Sequence, residues 1–451
     1  MNKIQKLKLV KTTENGDKSY NSTGNNLVDL VFLTEYFENH VDEVTIGNSE
    51  KEKLLAMYIR DPRNGMGRKK LGRRLMQLAE VENKHIVLAG RYDDLLENPT
   101  DENLVYLKEM LFAGNELAKK WMPRLKGKDK LIAKELCKMW NITEKEYRKL
   151  IKADTTEYKL SYVERETVSP LAEAFNKKMY IHPLVDTIDF EKVPSLAMTK
   201  YCKTFSKRED IKPRFDKYIQ DLKENKAKVN TSTTNVYDTY KTATRGAWIN
   251  EENTNVIASK MLEKQQEGIE LDCLVIHDSS GSMHDGNDSI GKANSIALAL
   301  ATKSTYCPNE LISFSSRPHF IKIKGNTLNE KYKSFQTRDI ANTDFSKVME
   351  LCTTLNKYPE YFICLSDMEF NSGSYQTKEE AMKIIKVKSP KTKIIWWNLN
   401  SRNKTVPEFD EYGNIFLSGY SIQMLKLLEN KFNMDEYIEK ILLDYKNKIG
   451  I

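Results

Sequence analysis

Two hydrophobic periodicities divide the chain. From Leu27 to about Leu160, apolar residues recur at the three- and four-residue spacing of amphipathic helices, as Leu71, Leu75 and Leu78 illustrate. Farther along the chain, short apolar runs alternate with helical patterns, as they do in parallel sheets wound with helices. These strand-like runs cover residues 271–277, 310–315, 360–366, 392–399 and 414–418.

The two patterns together predict an α + α/β protein. Serial short helices, among them 69–81, 103–120 and 196–226, favour an α-helical repeat domain. The alternating pattern favours a doubly wound parallel sheet. We predict a flexible arm over residues 1–25, a helical domain over 26–227, a linker over 228–265, much of it poorly periodic, and a sheet domain over 266–451.

The composition is that of a globular protein. Of its 451 residues, 40% are hydrophobic and 30% are charged, which leaves room for two or three domains. No apolar run approaches the roughly 20 residues that span a bilayer, and the basic N-terminus lacks the apolar core of a signal peptide. The 6 cysteines are far apart. We therefore expect a cytoplasmic protein with reduced thiols and no membrane partner.

Positive charge is concentrated in the N-terminal half. Residues 51–150 contain 23 Lys and Arg against 15 Asp and Glu, whereas residues 251–451 contain 25 against 27. Such a basic segment suits the phosphates of RNA, although a solvated helix face is the alternative for any single residue. The candidate RNA-binding residues are Arg60, Arg63, Arg68, Lys69, Lys70, Arg73, Arg74 and Arg124.

Candidate chemistry lies where the first C-terminal strand ends, in the sequence Asp278-Ser-Ser-Gly-Ser-Met283. Ligands of open α/β sheets bind at the carboxyl ends of strands. Asp278, Ser280 and Ser282 alternate along this loop, so their oxygens can converge on one point. Oxygen donors are what a hard cation such as Mg²⁺ or Mn²⁺ prefers. Further oxygens could come from Thr343, near the start of a helical pattern, and from Asp367, at the end of a strand-like run.

Two other interpretations of this loop stay open. A strand-to-helix turn with a capping Ser would contain the same residue types. An Asp nucleophile of the phosphatase type is less favoured, because that chemistry usually has a second carboxylate where Ser280 stands.

The five oxygen-bearing residues together resemble the metal-ion-dependent adhesion site of von Willebrand factor A domains. The resemblance implies that Ser280, Ser282 and Thr343 touch the metal and that Asp278 and Asp367 act mostly through water. It also implies that an acidic group of a protein partner takes the sixth position.

The order of parts resembles the TROVE-type architecture of the Ro ribonucleoprotein family, in a branch found in microbes and large viruses. The matching segments include residues 54–80, 90–96, 120–124, 145–149 and 191–197. This resemblance implies HEAT-like helical repeats, a von Willebrand factor A domain and structured or misfolded small RNA as a partner. We expect a non-catalytic RNA-binding protein with a Mg²⁺-dependent partner site. The alternative is a metal-dependent interaction scaffold without RNA.

Overall fold

The computed structural model describes residues 9–62, 64–96, 99–151, 188–231, 234–245, 251–284, 286–336, 342–371, 374–400, 403–407, 413–419 and 434–451. The chain divides into two compact units. The first has the bounds Met1–Tyr36 and Lys177–Ile441, and the second has the bounds Phe37–Asn176 and Leu442–Ile451. Each unit is therefore assembled from two separate stretches of sequence, unlike the consecutive domains that the periodicity predicts.

The first unit is built around a six-stranded sheet. The strands of the described chain are β1 Val10–Thr12, β2 Lys18–Tyr20, β3 Cys273–Asp278, β4 Glu310–Phe314, β5 His319–Lys322, β6 Tyr361–Ser366, β7 Lys393–Asn398 and β8 Ile415–Ser418. The sheet has the order β5-β4-β3-β6-β7-β8, with β1 and β2 forming a separate antiparallel hairpin. All five predicted C-terminal strands are present, so the α + α/β class is confirmed.

The sheet is mixed, which corrects the prediction of a purely parallel one. Adjacent strands along the order β4-β3-β6-β7-β8 pair in parallel. Strand β5 lies at the edge of the sheet and pairs antiparallel with β4. The periodicity missed β5 because its residues are mostly exposed, whereas every residue of β3 and β6 is buried. Continuous apolar runs identify strands covered on both faces, and an exposed edge strand lacks that signal.

Helices account for most of the remaining structure. Up to residue 151, the described helices are α1 Asn26–Phe32, α2 Thr34–Asn39, α3 Glu50–Arg60, α4 Lys69–Leu78, α5 Asn83–Ala89, α6 Asp101–Phe112, α7 Glu116–Trp121, α8 Lys130–Met139 and α9 Glu144–Leu150. They are followed by α10 Ser195–Lys207, α11 Lys212–Lys223, α12 Val236–Arg245, α13 Glu251–Gln265, α14 Ser289–Ala301, α15 Leu328–Ser334, α16 Phe345–Thr353, α17 Ser374–Lys388 and α18 Met434–Ile449. Among these described helices, none combines the length and the apolar composition that crossing a membrane requires.

Two segments predicted to lack regular structure have it. The flexible arm is wrong for residues 9–25, where β1 and β2 pair and Ser19 and Tyr20 are buried. The linker is wrong for α12 and α13, which lie within 228–265 and bury Ile257 and Met261. Both segments belong to the same unit as the sheet.

The second unit contains the predicted serial helices up to residue 151, with more breaks than expected, whereas α10 and α11, predicted as one segment over 196–226, belong to the first unit. The predicted helix 103–120 is interrupted after α6, where Gly114 has a φ of +80. Glycine adopts this left-handed conformation at little cost and is common just after helix ends. Leu71 and Leu75 of α4 are buried as predicted, whereas Leu78 is only half-buried. The HEAT-like repeat remains a prediction.

Gly72 is the point of closest approach between α3 and α4. A Cβ atom at Gly72 would lie 2.5 Å from the Cα of Arg60. We predict that Gly72→Ala lowers the free energy of unfolding by about 1–3 kcal/mol, because the helix backbones must move apart. Urea unfolding followed by circular dichroism measures the change.

Gly286→Ala is the matched control. A Cβ atom at Gly286 meets nothing within 4 Å, so this variant should be neutral or slightly stabilised. Equal unfolding midpoints for Gly72→Ala and the parent would contradict the close approach.

Candidate metal centre

The centre of the candidate site is Asp278, the last residue of β3. The parallel pairing of β3 with β6 brings Asp278 beside Ser366, whose hydroxyl donates a 2.6 Å hydrogen bond to Asp278 Oδ2. The backbone N–H of Ser280 donates to Asp278 Oδ1 over 2.9 Å. The carboxylate is fully buried and is held by donors on both oxygens.

The serine loop turns back towards this carboxylate. The Oγ atoms of Ser280 and Ser282 lie 3.3 Å apart. Ser280 is buried and Ser282 is half-buried, so the loop leads from the interior to the surface. Ser279 points elsewhere, because its hydroxyl donates to the carbonyl oxygen of Phe314 at the end of β4.

Asp367 faces the same point from the end of β6. Its side chain is 2% exposed and hydrogen-bonds Ser282. Burial, and then the charge of Asp278, raise the pKa of Asp367 to about 7. Burial also raises the pKa of Asp278. Two carboxylates forced together away from water make the doubly ionised state unfavourable.

Thr343 lies at the same edge of the sheet, between the loops that follow β4 and β6. Its N–H donates to Asn371 Oδ1 over 3.2 Å, and the N–H of Asn371 donates back to Thr343 O over 3.0 Å. On the other side, Ser315 donates its hydroxyl to Asn342 O. The structure therefore brings Asp278, Ser280, Ser282 and Asp367 into one group and fixes Thr343 in the adjacent loop.

The donor set fits a hard divalent cation. Two carboxylates and three hydroxyls offer only oxygen ligands, which Mg²⁺ and Mn²⁺ prefer. A cation would also offset the mutual repulsion of Asp278 and Asp367. Within the described residues, no three His, Cys, Asp or Glu side chains cluster as a metal site, so these hydroxyls are essential to the fit.

Sequence reasoning missed the residues that support the site. Ser366 could have been found, because β3 ends at Asp278, β6 ends at Ser366, and parallel neighbours align their carboxyl ends. Asn371, four residues beyond Asp367, carries no local signal. Its role depends on a contact with Thr343, 28 residues away.

Three candidate RNA-binding residues have side chains that already bind partners within the second unit. Arg60 is 3% exposed and pairs with buried Asp94 at 2.8 Å, so it is unable to contact RNA. Arg73 shares Asp94 and also pairs with Asp93 at 3.4 Å. Arg124 donates to the carbonyl oxygen of Ile151 just beyond α9. These three charges were predicted to be available to RNA because the sequence does not reveal their partners within the protein.

The remaining candidates vary in exposure. Lys69 and Lys70 are exposed, and Arg68 and Arg74 are half-buried, while Arg63 lies outside the described residues. The N-terminus of α4 is already capped, because the Glu38 carboxylate accepts from the backbone N–H groups of Lys70 and Leu71 at 2.9 and 2.8 Å. A phosphate would therefore meet lysine side chains rather than free backbone donors at this helix.

Comparisons with known proteins match both parts of the chain. Residues 69–271 match the family Domain of unknown function (DUF2828), and residues 272–448 match the family Domain of unknown function (DUF7788). The second match begins immediately before β3.

Two individual proteins are similar along most of the chain. The Uncharacterized protein L728 of Acanthamoeba polyphaga mimivirus is 24% identical over an alignment 506 positions long, which covers 96% of this chain and 87% of that protein. The crystal structure of the Deinococcus radiodurans RO (RSR) protein is 11% identical with a TM-score of 0.40, and the match covers 94% of this chain and 87% of that one.

The raised pKa of Asp367 predicts that cation binding depends on pH. At low pH a proton occupies this carboxylate and must leave when a cation binds. The affinity for Mn²⁺ should therefore fall roughly tenfold for each pH unit below about 7, as expected for release of one proton. Calorimetry between about pH 6 and pH 8 measures this slope.

Asp367→Asn supplies the comparison, because its amide does not titrate. Any affinity that this variant retains should change much less over the same pH range. A parent affinity that is constant over that range would contradict a titrating carboxylate at the site.

Proposed function

We propose that this chain is a non-catalytic binding protein whose sheet unit captures an acidic group of a protein partner through Mg²⁺ or Mn²⁺. The observation that carries the proposal is the pair of buried carboxylates, Asp278 and Asp367, with the hydroxyls of Ser280 and Ser282 beside them. Burying two like charges is costly unless something compensates them. A divalent cation bound between them supplies that compensation.

The position of the site supports binding at the surface. It lies at the carboxyl ends of β3 and β6, where the strand order changes direction, and open α/β sheets bind ligands at such a point. Ser282 is half-buried and the adjacent Gly281 is exposed, so a partner's side chain can approach from this rim. The protein offers five oxygen-bearing side chains, which leaves a position for a carboxylate of the partner.

The surroundings favour binding over hydrolysis. A nucleophilic serine needs a base within hydrogen-bond reach, and two histidines flank the serine loop, exposed His284 and buried His277. The Nε2 of His277 lies 2.9 Å from Asn294 Oδ1, and its ring packs on Phe335, because successive strand residues face opposite sides of the sheet. Burial lowers the pKa of His277 to about 4. The histidine therefore acts as a packed core residue.

The cation site has a direct test. We predict that Asp278→Ala together with Ser280→Ala abolishes Mn²⁺ binding measured by calorimetry, while circular dichroism stays close to that of the parent. Acetate, as a probe for the partner's carboxylate, should bind the parent only when Mn²⁺ is present.

The matched control is Ser279→Ala. It removes a hydroxyl from the same loop that points to Phe314 O, so it should keep parent affinity. Mn²⁺ binding that survives the double substitution would overturn the site, and loss of binding in Ser279→Ala alone would indicate a general collapse of the loop.

RNA binding by the second unit is a second candidate function. The observation in its favour is a set of exposed lysines that form no ion pair within the described part of the chain: Lys69, Lys70, Lys126, Lys130, Lys145 and Lys149. Unpaired surface charge is available to phosphates, unlike the charge of Arg60 and Arg73. This candidate is independent of the cation site.

We predict that replacing Lys69, Lys70, Lys145 and Lys149 with Gln weakens binding to many RNA sequences alike, since phosphate contacts carry little sequence information. The dependence of log affinity on log salt should become shallower by about 0.7 for each lost contact to a single strand. Filter binding at several salt concentrations measures both changes.

A charge-matched control removes four exposed lysines of the first unit instead: Lys303, Lys322, Lys357 and Lys391. The control should keep the parent slope. Equal slopes for the two variants would show only a general effect of net charge, and a parent that binds no RNA would favour the scaffold without RNA.

A further inference from the structure

A tight turn joins the two strands of the N-terminal hairpin, β1 and β2, and this turn contacts the loop that follows Asp367. Within the turn, the N–H of Thr13 donates to Asp17 O over 2.9 Å, and Gly16 takes a φ of +87. The Thr13 hydroxyl donates to the carbonyl oxygen of Phe370 over 2.6 Å. Gly16 forms an antiparallel bridge with Asn371, so the turn extends the loop like a short added strand.

A buried carboxylate joins the turn to the loop. Glu369 is 2% exposed, and its Oε2 accepts a 2.7 Å hydrogen bond from the N–H of Glu14. Its Oε1 accepts from the Thr405 hydroxyl over 2.8 Å and from Asn403 Nδ2 over 3.3 Å. The Asn15 side chain adds a 2.7 Å hydrogen bond to Glu369 O. Donors from two distant segments therefore hold one charge in place.

Both ends of this loop touch the candidate metal centre. The N–H of Glu369 donates to Asp367 Oδ1 over 3.2 Å. Asn371 exchanges two hydrogen bonds with the backbone of Thr343. Between them, Met368 has a φ of +66, a conformation that a side chain of its type rarely adopts. Such a backbone persists only when its surroundings hold it there.

We propose that the N-terminal hairpin is a positioning element of the metal centre. It holds the loop from Asp367 to Asn371 so that the Asp367 carboxylate and Thr343 keep their places around the cation. The effect on cation affinity rests on the proposed function, but the effect on loop order does not. Groups that hydrogen-bond a metal ligand, as the Glu369 N–H does with Asp367, typically contribute about 10- to 100-fold to metal affinity.

Adjacent threonines provide a matched pair of variants. Thr13→Val removes the hydroxyl that reaches Phe370 and keeps the side-chain shape, whereas Thr12→Val makes the same change at an exposed position of β1. Asn15→Ala is a further variant at an exposed position, where unfolding is not expected. All are made in the full chain and compared by calorimetry with Mn²⁺ and by hydrogen exchange of the Thr343 and Asn371 amides.

We expect Thr13→Val and Asn15→Ala to weaken Mn²⁺ binding by about tenfold or more and to speed exchange of both amides, with Thr12→Val unchanged. Unchanged exchange in Thr13→Val and Asn15→Ala would overturn the positioning role. Faster exchange with unchanged affinity would overturn its link to the cation. A parent that binds no Mn²⁺ would instead refute the proposed function, and hydrogen exchange would still decide whether the hairpin orders the loop.

Discussion

The parallel register of β3 and β6 is the constraint on which the site depends. It places Asp278 beside Ser366, whose 2.6 Å hydrogen bond ties the two strand ends together. Asp367, the residue just beyond the end of β6, lies close enough for the charge of Asp278 to raise its pKa. A shift of one residue in either strand would turn these side chains to the opposite face of the sheet. The buried apolar residues of both strands prevent that shift, so the hydrophobic core fixes the geometry of the polar site.

The same geometry creates an electrostatic conflict between two buried carboxylates, Asp278 and Asp367. Burial and the charge of Asp278 raise the pKa of Asp367 to about 7, because ionising both carboxylates together is unfavourable. The hydroxyls of Ser280 and Ser282 leave the negative charge unneutralised, since they are uncharged. A simple capped turn needs no second buried carboxylate, whereas a cation site uses both.

Local patterns in the sequence predicted the sheet and the group around Asp278, because a buried strand and the loop at its end are formed by consecutive residues. The same patterns failed where a partner is distant. Arg60 reads as a surface charge in a basic segment, yet Asp94 neutralises it in the interior. The hairpin was predicted as a polar arm, because strands of three residues are too short to show an alternating pattern. The sequence also does not reveal that Thr13 hydrogen-bonds a residue 357 positions away.

That distance also constrains the order in which the site can form. Contacts between residues far apart in sequence form against a large loss of chain entropy, so they tend to follow local structure. β3, β4 and β6 lie within about a hundred residues of one another and can assemble before the N-terminal turn arrives. Buried Glu369 accepts hydrogen bonds from both Glu14 and Thr405. We therefore expect the loop after Asp367 to reach its final shape late in folding, after the sheet has formed.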